Sequence, residues 1–252
     1  MSSLVASMML DYKATIRDAL EHPEIERFYA EDDAAANSVF RRVMNALNRK
    51  WTSIFQSFAT KYAPEFVEKV DTHSKSSTWY SMTTAGIEQP RQTYNDYVET
   101  TMAASVDFNH TLITNIQRDA HEDIYNSVML SLTSPNPEEQ GQVGIVSALN
   151  KADITAKKRV DLIARDQTSK VYASLSTERL RQGGVEYFRW LHSSAGKVPR
   201  WTHVAKNDQV FEVDDPRLWE GPKADQGPPG WAINCRCRMV PLIGYNPNED
   251  ES

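Results

Sequence analysis

The residues with the clearest capacity for chemistry lie in one stretch near the C-terminus. His203 is followed by Cys235 and Cys237, the two cysteines of the chain. An imidazole and two thiols are ligands for zinc, and a thiol beside an imidazole base can also act as a nucleophile. Leu, Ile and Val would fill space without titratable groups. The stretch therefore predicts either a site or a small fold that needs local cross-bracing.

These three residues allow three interpretations. We expect Cys235 and Cys237 to pack as small hydrophobic side chains while His203 hydrogen-bonds across the module, with no cofactor. The second interpretation is a zinc site with His192 as fourth ligand. Structural zinc sites usually draw thiolates from longer Cys-x₂₋₄-Cys spacings, and we expect that only a turn at Arg236 would bring both sulfur atoms to one ion. The third is a Cys/His enzyme. The sequence has no carboxylate or oxyanion-hole motif at a recognisable spacing from the cysteines and His203, so we predict no enzymatic activity.

Arginines and tryptophans of the same stretch have the chemistry of a single-stranded nucleic-acid groove, in which rings stack on bases and guanidinium groups bind phosphates. The candidate contacts are Arg200, Trp201, Trp231, Arg236 and Arg238. In the opposite interpretation, the Trp rings close a small core and the Arg stems lie over it. The chain has a formal net charge of −6, with a slight basic excess near these residues. That balance permits phosphate contact without requiring it.

Helical periodicity dominates the segments that must position this block. Apolar residues between Val39 and Tyr62 recur every three or four positions, which predicts a helix that ends before Pro64. Similar patterns predict helices from Tyr94 to Leu132 and from Ala156 to Arg181. Gly183-Gly184 would end the last of these helices, since glycine readily adopts the left-handed conformation.

Two further features belong to the helices. The aromatic residues along the first predicted helix, Trp51, Phe55, Phe58 and Tyr62, are expected in a core rather than on a partner surface. Arg165 and Asp166, on the helix that opens the C-terminal module, are expected to brace that helix against the β elements by a charge-assisted contact. Asn234 is assigned to the same brace.

The pattern changes after the two glycines. Val185 to Leu191 is aromatic and β-branched, which predicts a strand, with Val210 to Val213 and Met239 to Ile243 as its partners. The predicted fold class is α+β: a mainly helical N-terminal region followed by a small C-terminal α+β module. A Pro- and Gly-containing loop after Thr133 predicts the main boundary. The predicted divisions are a helical region at 1–133, the module at 144–245 and an acidic, disordered tail at 246–252.

Composition limits the class of protein. Apolar residues make up 40% and charged residues 25% of the 252 residues, which is typical of a globular chain. No apolar run approaches the roughly 18 residues that span a bilayer, and the first residues lack the basic start of a secretory signal. We therefore predict no membrane partner and retention in the cytoplasm where the chain is made.

Five sequence elements of the C-terminal block stand in an order that points to a family. They are Ile163-Ala164-Arg165-Asp166-Gln167-Thr168, Gly184-Val185-Glu186-Tyr187-Phe188-Arg189-Trp190, Pro199-Arg200-Trp201-Thr202-His203, Gln209-Val210-Phe211, and Pro229-Gly230 with Asn234-Cys235-Arg236-Cys237 before Pro241. In this order the block resembles the phage Mu protein F-like family of head morphogenesis or minor capsid proteins. The resemblance covers about a hundred residues, roughly Val146 to Ile243. Two departures are Asn207-Asp208, where many relatives have Asp-Gly, and Trp231-Ala232-Ile233, where relatives often have a second histidine.

The resemblance implies a specific function, which composition alone does not indicate. It implies a minor head protein of the virion that binds the portal or major capsid protein, in the capsid interior or at the portal vertex, after assembly in the host cytoplasm. Such a protein would assist assembly, DNA packaging or genome ejection, and the helical region would suit docking on the portal or capsid. The alternative function is a DNA-binding or metal-dependent DNA-processing protein delivered with the genome, with phage DNA as its partner.

Overall fold

The structure, a computed structural model, describes residues 1–21, 34–133, 136, 141–194 and 198–247. The long helices are α1 (Ser2–Leu20), α2 (Ala34–Thr84), α3 (Asp96–Thr133) and α4 (Gly141–Gln182). The C-terminal elements are β1 (Tyr187–Leu191), the short helix α5 (Trp201–Ala205), β2 (Val210–Glu212), 3₁₀ turns at Pro216–Trp219 and Lys223–Asp225, and β3 (Arg238–Leu242). This arrangement of long helices before a small sheet confirms the predicted α+β class. None of the described helices combines the length and apolar composition needed to cross a membrane.

The chain forms two compact units that interleave along the sequence. The first contains Met1–Tyr62 and Asn109–Ile163, and the second contains Ala63–Phe108 and Ala164–Ser252. Helices α2, α3 and α4 each contribute to both units, so the units divide within helices. The boundary predicted between residues 133 and 144 falls largely on residues 134–135 and 137–140, outside the described residues. Most of the predicted tail, residues 248–252, also lies outside them.

The first unit is built on a helical core. On α1 the buried side chains Val5, Met8, Met9, Tyr12 and Ile16 share one face, because three- and four-residue steps return to the same side of a helix. The aromatic residues of α2 pack into this core: Trp51 and Phe55 are buried, while Phe58 and Tyr62 are partly buried against it. The expectation that they form core rather than a partner surface is confirmed.

The prediction that a helix ends before Pro64 is wrong. Helix α2 continues through Pro64 to Thr84. Proline removes one N–H donor from the helical ladder, which disfavours continuation, but Val67 and Val70, which follow Pro64 on the helix, are buried. Burial of apolar side chains in the second unit offsets the missing hydrogen bond, and local sequence alone does not show that burial. Pro64 itself is exposed.

Helix α4 ends where the two glycines predict. The N–H of Gly184 donates to the carbonyl of Arg181, and the N–H of Val185 donates to the carbonyl of Leu180. Gly184 has a φ of 77°. These two bonds and the left-handed residue form a Schellman cap, which ends the helix and turns the chain toward β1.

The C-terminal sheet has the strand order β2-β1-β3 and is antiparallel. Phe188 pairs with Phe211 on β2 and with Pro241 on β3, and Trp190 pairs with Met239. Alternate residues of β1 point to one face, so Phe188 and Trp190 are both buried there. All three predicted strands are therefore confirmed. The turn before β2 is also present, with Asp208 at a φ of 63°.

Candidate functional site

The structure brings His203, Cys235 and Cys237 together. Nδ1 of His203 lies 3.4 Å from Sγ of Cys235 and 3.7 Å from Sγ of Cys237. Their three ligand atoms lie within 4.8 Å of one another, and all three residues are buried. His203 thus forms one compact cluster with two cysteines that lie more than thirty positions later in the chain, and we call it the His/Cys cluster.

His203 is held in a single orientation. It lies on α5, and its ring packs edge-on against Trp190 with ring centroids 5.2 Å apart. Its Nε2 lies 3.1 Å from the backbone carbonyl of Asp225. A carbonyl only accepts, so Nε2 carries a hydrogen and donates it. Nδ1 is the nitrogen that faces the two sulfur atoms.

The segment around Asp225 is itself fixed. The Asp225 carboxylate pairs with Nε of Arg200 at 2.8 Å and accepts a hydrogen bond from Thr202 at 2.7 Å. Arg200 also donates to the carbonyl of Ile233 at 2.7 Å. Because Arg200 and Thr202 flank the start of α5, these contacts tie α5 both to the Asp225 segment and to the loop that carries the cysteines.

The two thiols reach His203 without a turn at Arg236, so that requirement of the zinc interpretation is wrong. The turn lies earlier, at residues 233–234, where Asn234 has a φ of 58° and Cys235 N–H donates to the carbonyl of Ala232. Cys235 and Cys237 are both buried, whereas Arg236 between them is exposed. In extended backbone residues i and i+2 point to the same face, which explains this pattern.

Hydrogen-bond donors converge on Cys235. Gly230 has a φ of 91°, and its N–H lies 3.4 Å from Cys235 Sγ. The contact with the Cys237 side chain lowers the pKa of Cys235 most, and the Gly230 N–H acts in the same direction, whereas burial raises it. The pKa of Cys237 is raised, first by its contact with Cys235 and then by burial. The pair alone therefore favours one thiolate, on Cys235.

Trp190 brings a further donor to the cluster. Its side chain is fully buried, and its indole Nε1 has no hydrogen-bond partner among the described residues. Its ring packs edge-on against His203, so the indole lies beside the His/Cys cluster. A buried indole N–H normally has a partner when it is desolvated.

A cavity of about 790 Å³ in the second unit adjoins the cluster. Cys235 and Cys237 line it, together with His192 and Ser193 from the segment after β1. The helical walls are rich in hydroxyl groups. They include Ser77, Thr78 and Ser81 of α2 and Thr168, Ser169, Tyr172 and Ser176 of α4. The cavity can therefore hold water or a polar ligand next to the sulfur atoms.

The five residues assigned to nucleic-acid contact differ in exposure and in their contacts. Arg236 and Arg238 are exposed and line the cavity. Trp201 is 75% exposed. Trp231 is half-buried, with its ring 6.2 Å from that of Trp219. Arg200 is engaged within the module by its contacts with Asp225 and Ile233.

Asp166 is tied to its own helix. It is buried, and its contacts are with Lys170 at 2.9 Å and Gln167 at 3.2 Å, both on α4. Arg181 of the same helix pairs with Asp214 in the loop after β2. Sequence reasoning missed this pair. Arg165 is exposed, and Asn234 serves as the left-handed residue of the turn before the cysteines.

The residues that sequence reasoning missed at the cluster are Asp225, Gly230 and Trp190. Gly230 follows two prolines, which signals a turn but not a contact with sulfur. Asp225 acts through its backbone carbonyl, so its residue type carries no signal for the contact with His203. Trp190 is predicted as a strand residue, but only the strand register shows which face its indole occupies.

Comparisons with known proteins identify a relative without a known function. An uncharacterized protein of Haemophilus influenzae is 27% identical over 235 residues. The match covers 92% of this chain and 50% of that protein, so the chain spans about half the length of the relative. No family model matches the chain, and no solved structure matches it.

Proposed function

We propose that the protein is a phage minor head protein of the Mu F-like type, which binds the portal or the inner capsid and assists assembly, DNA packaging or genome ejection. One observation carries the proposal. Four of the five sequence elements that support the resemblance meet in one folded module: β1 and β2 supply Phe188, Trp190 and Phe211 to a core that also contains Cys235 and Cys237, and His203 packs on Trp190. These elements share a structural role, which is the expected reason for a family to retain them in a fixed order.

The role of these residues in the module favours binding over catalysis. Cys235 and Cys237 belong to the apolar core around β1, and His203 packs on Trp190 from α5. Arg200 and Asp225 connect the loops of the same module. In this proposal the polar residues hold the loops in place, and the loops present a surface to a partner.

The module offers such a surface on α5. Trp201 is 75% exposed and Val204 is 47% exposed, and three positions apart they share one face of the helix. Exposed tryptophan is uncommon on a surface without a partner and is enriched where protein interfaces are strongest. We assign this face to the contact with portal or capsid protein. The aromatic residues Trp51, Phe55, Phe58 and Tyr62 of α2 are less suited to this contact, because they pack in the core of the first unit.

The second candidate, a DNA-binding or metal-dependent DNA-processing protein, rests on a different observation. Arg236 and Arg238 line the cavity beside the His/Cys cluster. Two guanidinium groups at a cavity next to a candidate metal site would suit a phosphate group. The acidic net charge of −6 opposes extended contact with DNA.

A retention experiment tests the first proposal on the full chain. Fragments cut near residue 133 would divide both compact units, since each unit draws on residues before and after that point. Tagged full-length protein is mixed with the portal and major capsid proteins of the same genome at low and high salt. Apolar docking predicts retention at both salt concentrations, whereas DNA retention would fall steeply with salt.

Matched variants locate the contact. Trp201→Ala should lower portal or capsid retention at least about tenfold, because truncation of a central aromatic anchor typically costs about 2 kcal/mol or more. Tyr80→Ala removes an aromatic side chain of similar exposure, 72%, from α2 and should leave retention unchanged. Absence of retention of either partner by wild-type protein at both salt concentrations would overturn the proposal.

A further inference from the structure

We propose that His203, Cys235 and Cys237 bind one zinc ion, with Nδ1 of His203 and the two thiolates as protein ligands and the fourth position open to the adjoining cavity. This inference goes beyond the proposed head function and reverses the expectation that the protein has no cofactor. It rests on the distances, the burial and the hydrogen bonds of the cluster.

The distances agree with tetrahedral zinc. With Zn–S near 2.3 Å and Zn–N near 2.05 Å, an N···S edge of the tetrahedron is about 3.6 Å long. The two Nδ1···Sγ distances are 3.4 and 3.7 Å, one on each side of that value. A neutral Nδ1 has one lone pair and accepts a hydrogen bond from one thiol at a time, whereas one zinc ion accounts for both short distances together.

The contacts of His203 prepare it as a ligand. A metal-ligating histidine usually donates its other ring N–H to a carbonyl or carboxylate, which fixes the tautomer and the ring orientation. Nε2 of His203 donates to the Asp225 carbonyl, and Nδ1 faces the sulfur atoms. The Asp225 segment is held in turn by Arg200 and Thr202.

The sulfur atoms face donors that suit thiolates. The N–H of Gly230 donates to Cys235 Sγ at 3.4 Å, and the indole Nε1 of Trp190, whose ring packs on His203, is buried without a partner among the described residues. Zinc-bound thiolates accept such hydrogen bonds strongly, so the Gly230 contact would stabilise the bound ion. Two thiolates also balance the charge of one divalent ion, which avoids an uncompensated charge in the core.

Ligand type favours zinc over the hard cations. Thiolate and imidazole groups together select zinc among the common divalent ions, whereas calcium and magnesium take oxygen ligands. Among the described residues, no other His, Cys, Asp or Glu joins the set of three. Both cysteines line the cavity, so water would complete the tetrahedron there, as at zinc sites with three protein ligands.

The test measures metal in full-length protein purified without added zinc or chelator. Elemental analysis should find about one zinc per chain in wild type, and Cys235→Ser and Cys237→Ser should each lower zinc affinity at least about tenfold. His192→Asn is the matched control: His192 lines the same cavity but is outside the cluster, so this variant should keep its zinc. Zinc loss in that control would overturn the three-ligand assignment.

A second measurement needs no variant, in case the cysteine substitutions prevent folding. Cobalt-substituted wild-type protein should show thiolate-to-cobalt charge transfer and the visible bands of tetrahedral cobalt. X-ray absorption at the zinc edge should show sulfur near 2.3 Å and nitrogen near 2.0 Å, within about 0.2 Å. Wild-type protein that is folded, contains no zinc and binds neither zinc nor cobalt would overturn the proposal, as would stoichiometric iron or copper in its place.

Discussion

Arg179 of α4 forms an ion pair with Asp71 of α2 in which each side chain is only 2% exposed. Arg179 also donates to the backbone carbonyl of Asp71 at 3.3 Å, and the hydroxyl of Tyr94 donates to the Asp71 carboxylate at 2.6 Å. The guanidinium and the carboxylate are therefore both partnered where water cannot reach them. The pair joins two helices within the second unit, close to the start of the sheet.

Removal of one member of this pair should be strongly destabilising. Arg179→Met leaves a carboxylate buried without its cation, which costs about 3–5 kcal/mol of unfolding free energy. The double variant Asp71→Leu with Arg179→Met should be more stable than Arg179→Met alone, because both charges are then removed. Urea denaturation of the three proteins measures this.

The control for the buried pair is an exposed one. Arg118 pairs with Asp119 at 3.0 Å, but its side chain is 59% exposed. Arg118→Ala should change stability by less than about 0.5 kcal/mol. Equal effects of Arg118→Ala and Arg179→Met would show that the Arg179 site is open to solvent.

Protonation of His121 should lower the free energy of unfolding in mildly acidic solution. Burial lowers the pKa of His121 from its ordinary value of 6.5, and Nδ1 lies 2.9 Å from the hydroxyl of Tyr12 within the first unit. The unfolded chain then binds a proton more readily than the folded chain. The stabilising contribution of the neutral ring is complete above about pH 6.5 and is lost as the pH falls below it.

His121→Gln should flatten this part of the pH profile. The change in slope is at most about 1.4 kcal/mol per pH unit for one proton. Unfolding free energies measured from pH 7.5 to 5, a range of about 2.5 units around the ordinary histidine value, give the comparison. Identical slopes in wild type and His121→Gln would contradict the prediction.

Pro64 should lower the free energy of unfolding by its position inside α2. It is exposed within α2, so its replacement removes no buried contact. Alanine is about 3 kcal/mol better than proline in a helix interior, although the more flexible unfolded chain returns about 0.4–1 kcal/mol of this. Pro64→Ala should therefore raise the unfolding free energy by about 1–3 kcal/mol, measured by urea denaturation.

Glu65→Ala, at the next exposed position, controls for surface effects and should change stability by less than about 0.5 kcal/mol. A neutral or destabilising result for Pro64→Ala would show that the chain near Pro64 is not a regular helix in solution.

Much of the fold could be predicted from sequence because its signals are local. Alternation in β1 places Phe188 and Trp190 on one face, and the two glycines end α4 by their own conformational freedom. The continuation of α2 past Pro64 could not be predicted, since it depends on apolar burial contributed by distant parts of the chain. The interleaved units are likewise a tertiary property, because each unit combines two separate stretches of sequence.

The candidate site shows the same division. Residue type alone identifies His203, Cys235 and Cys237 as candidate ligands. Their close approach depends on the tertiary structure and could not be predicted from the sequence. The need for a turn at Arg236 was a mistaken expectation, since positions i and i+2 of extended backbone already share a face. The groups that hydrogen-bond to His203 and Cys235 could not be predicted from residue types, because the Asp225 carbonyl and the Gly230 N–H belong to the backbone.

Arg200 distinguishes a structural role from a nucleic-acid contact. It pairs with Asp225, whose carbonyl orients His203, and it donates to the Ile233 carbonyl in the loop before the cysteines. Arg200→Ala should therefore lower the unfolding free energy by about 1–2 kcal/mol, because two charge-assisted contacts at a partly exposed position are lost. If the cluster holds zinc, transfer of zinc to a chelator should become about tenfold faster, because the Asp225 segment that orients the His203 ligand loses its contact with Arg200.

Three measurements on Arg200→Ala decide between the two roles: urea denaturation, chelator kinetics and the salt dependence of DNA retention. Arg189→Ala is the matched control, because Arg189 is exposed on β1 and should affect neither stability nor zinc transfer. A phosphate-binding Arg200 would give the opposite pattern. Stability and zinc transfer would stay at wild-type values, and the slope of DNA affinity against salt would fall by about one. Because the guanidinium is already engaged by Asp225 and Ile233, we expect the first pattern.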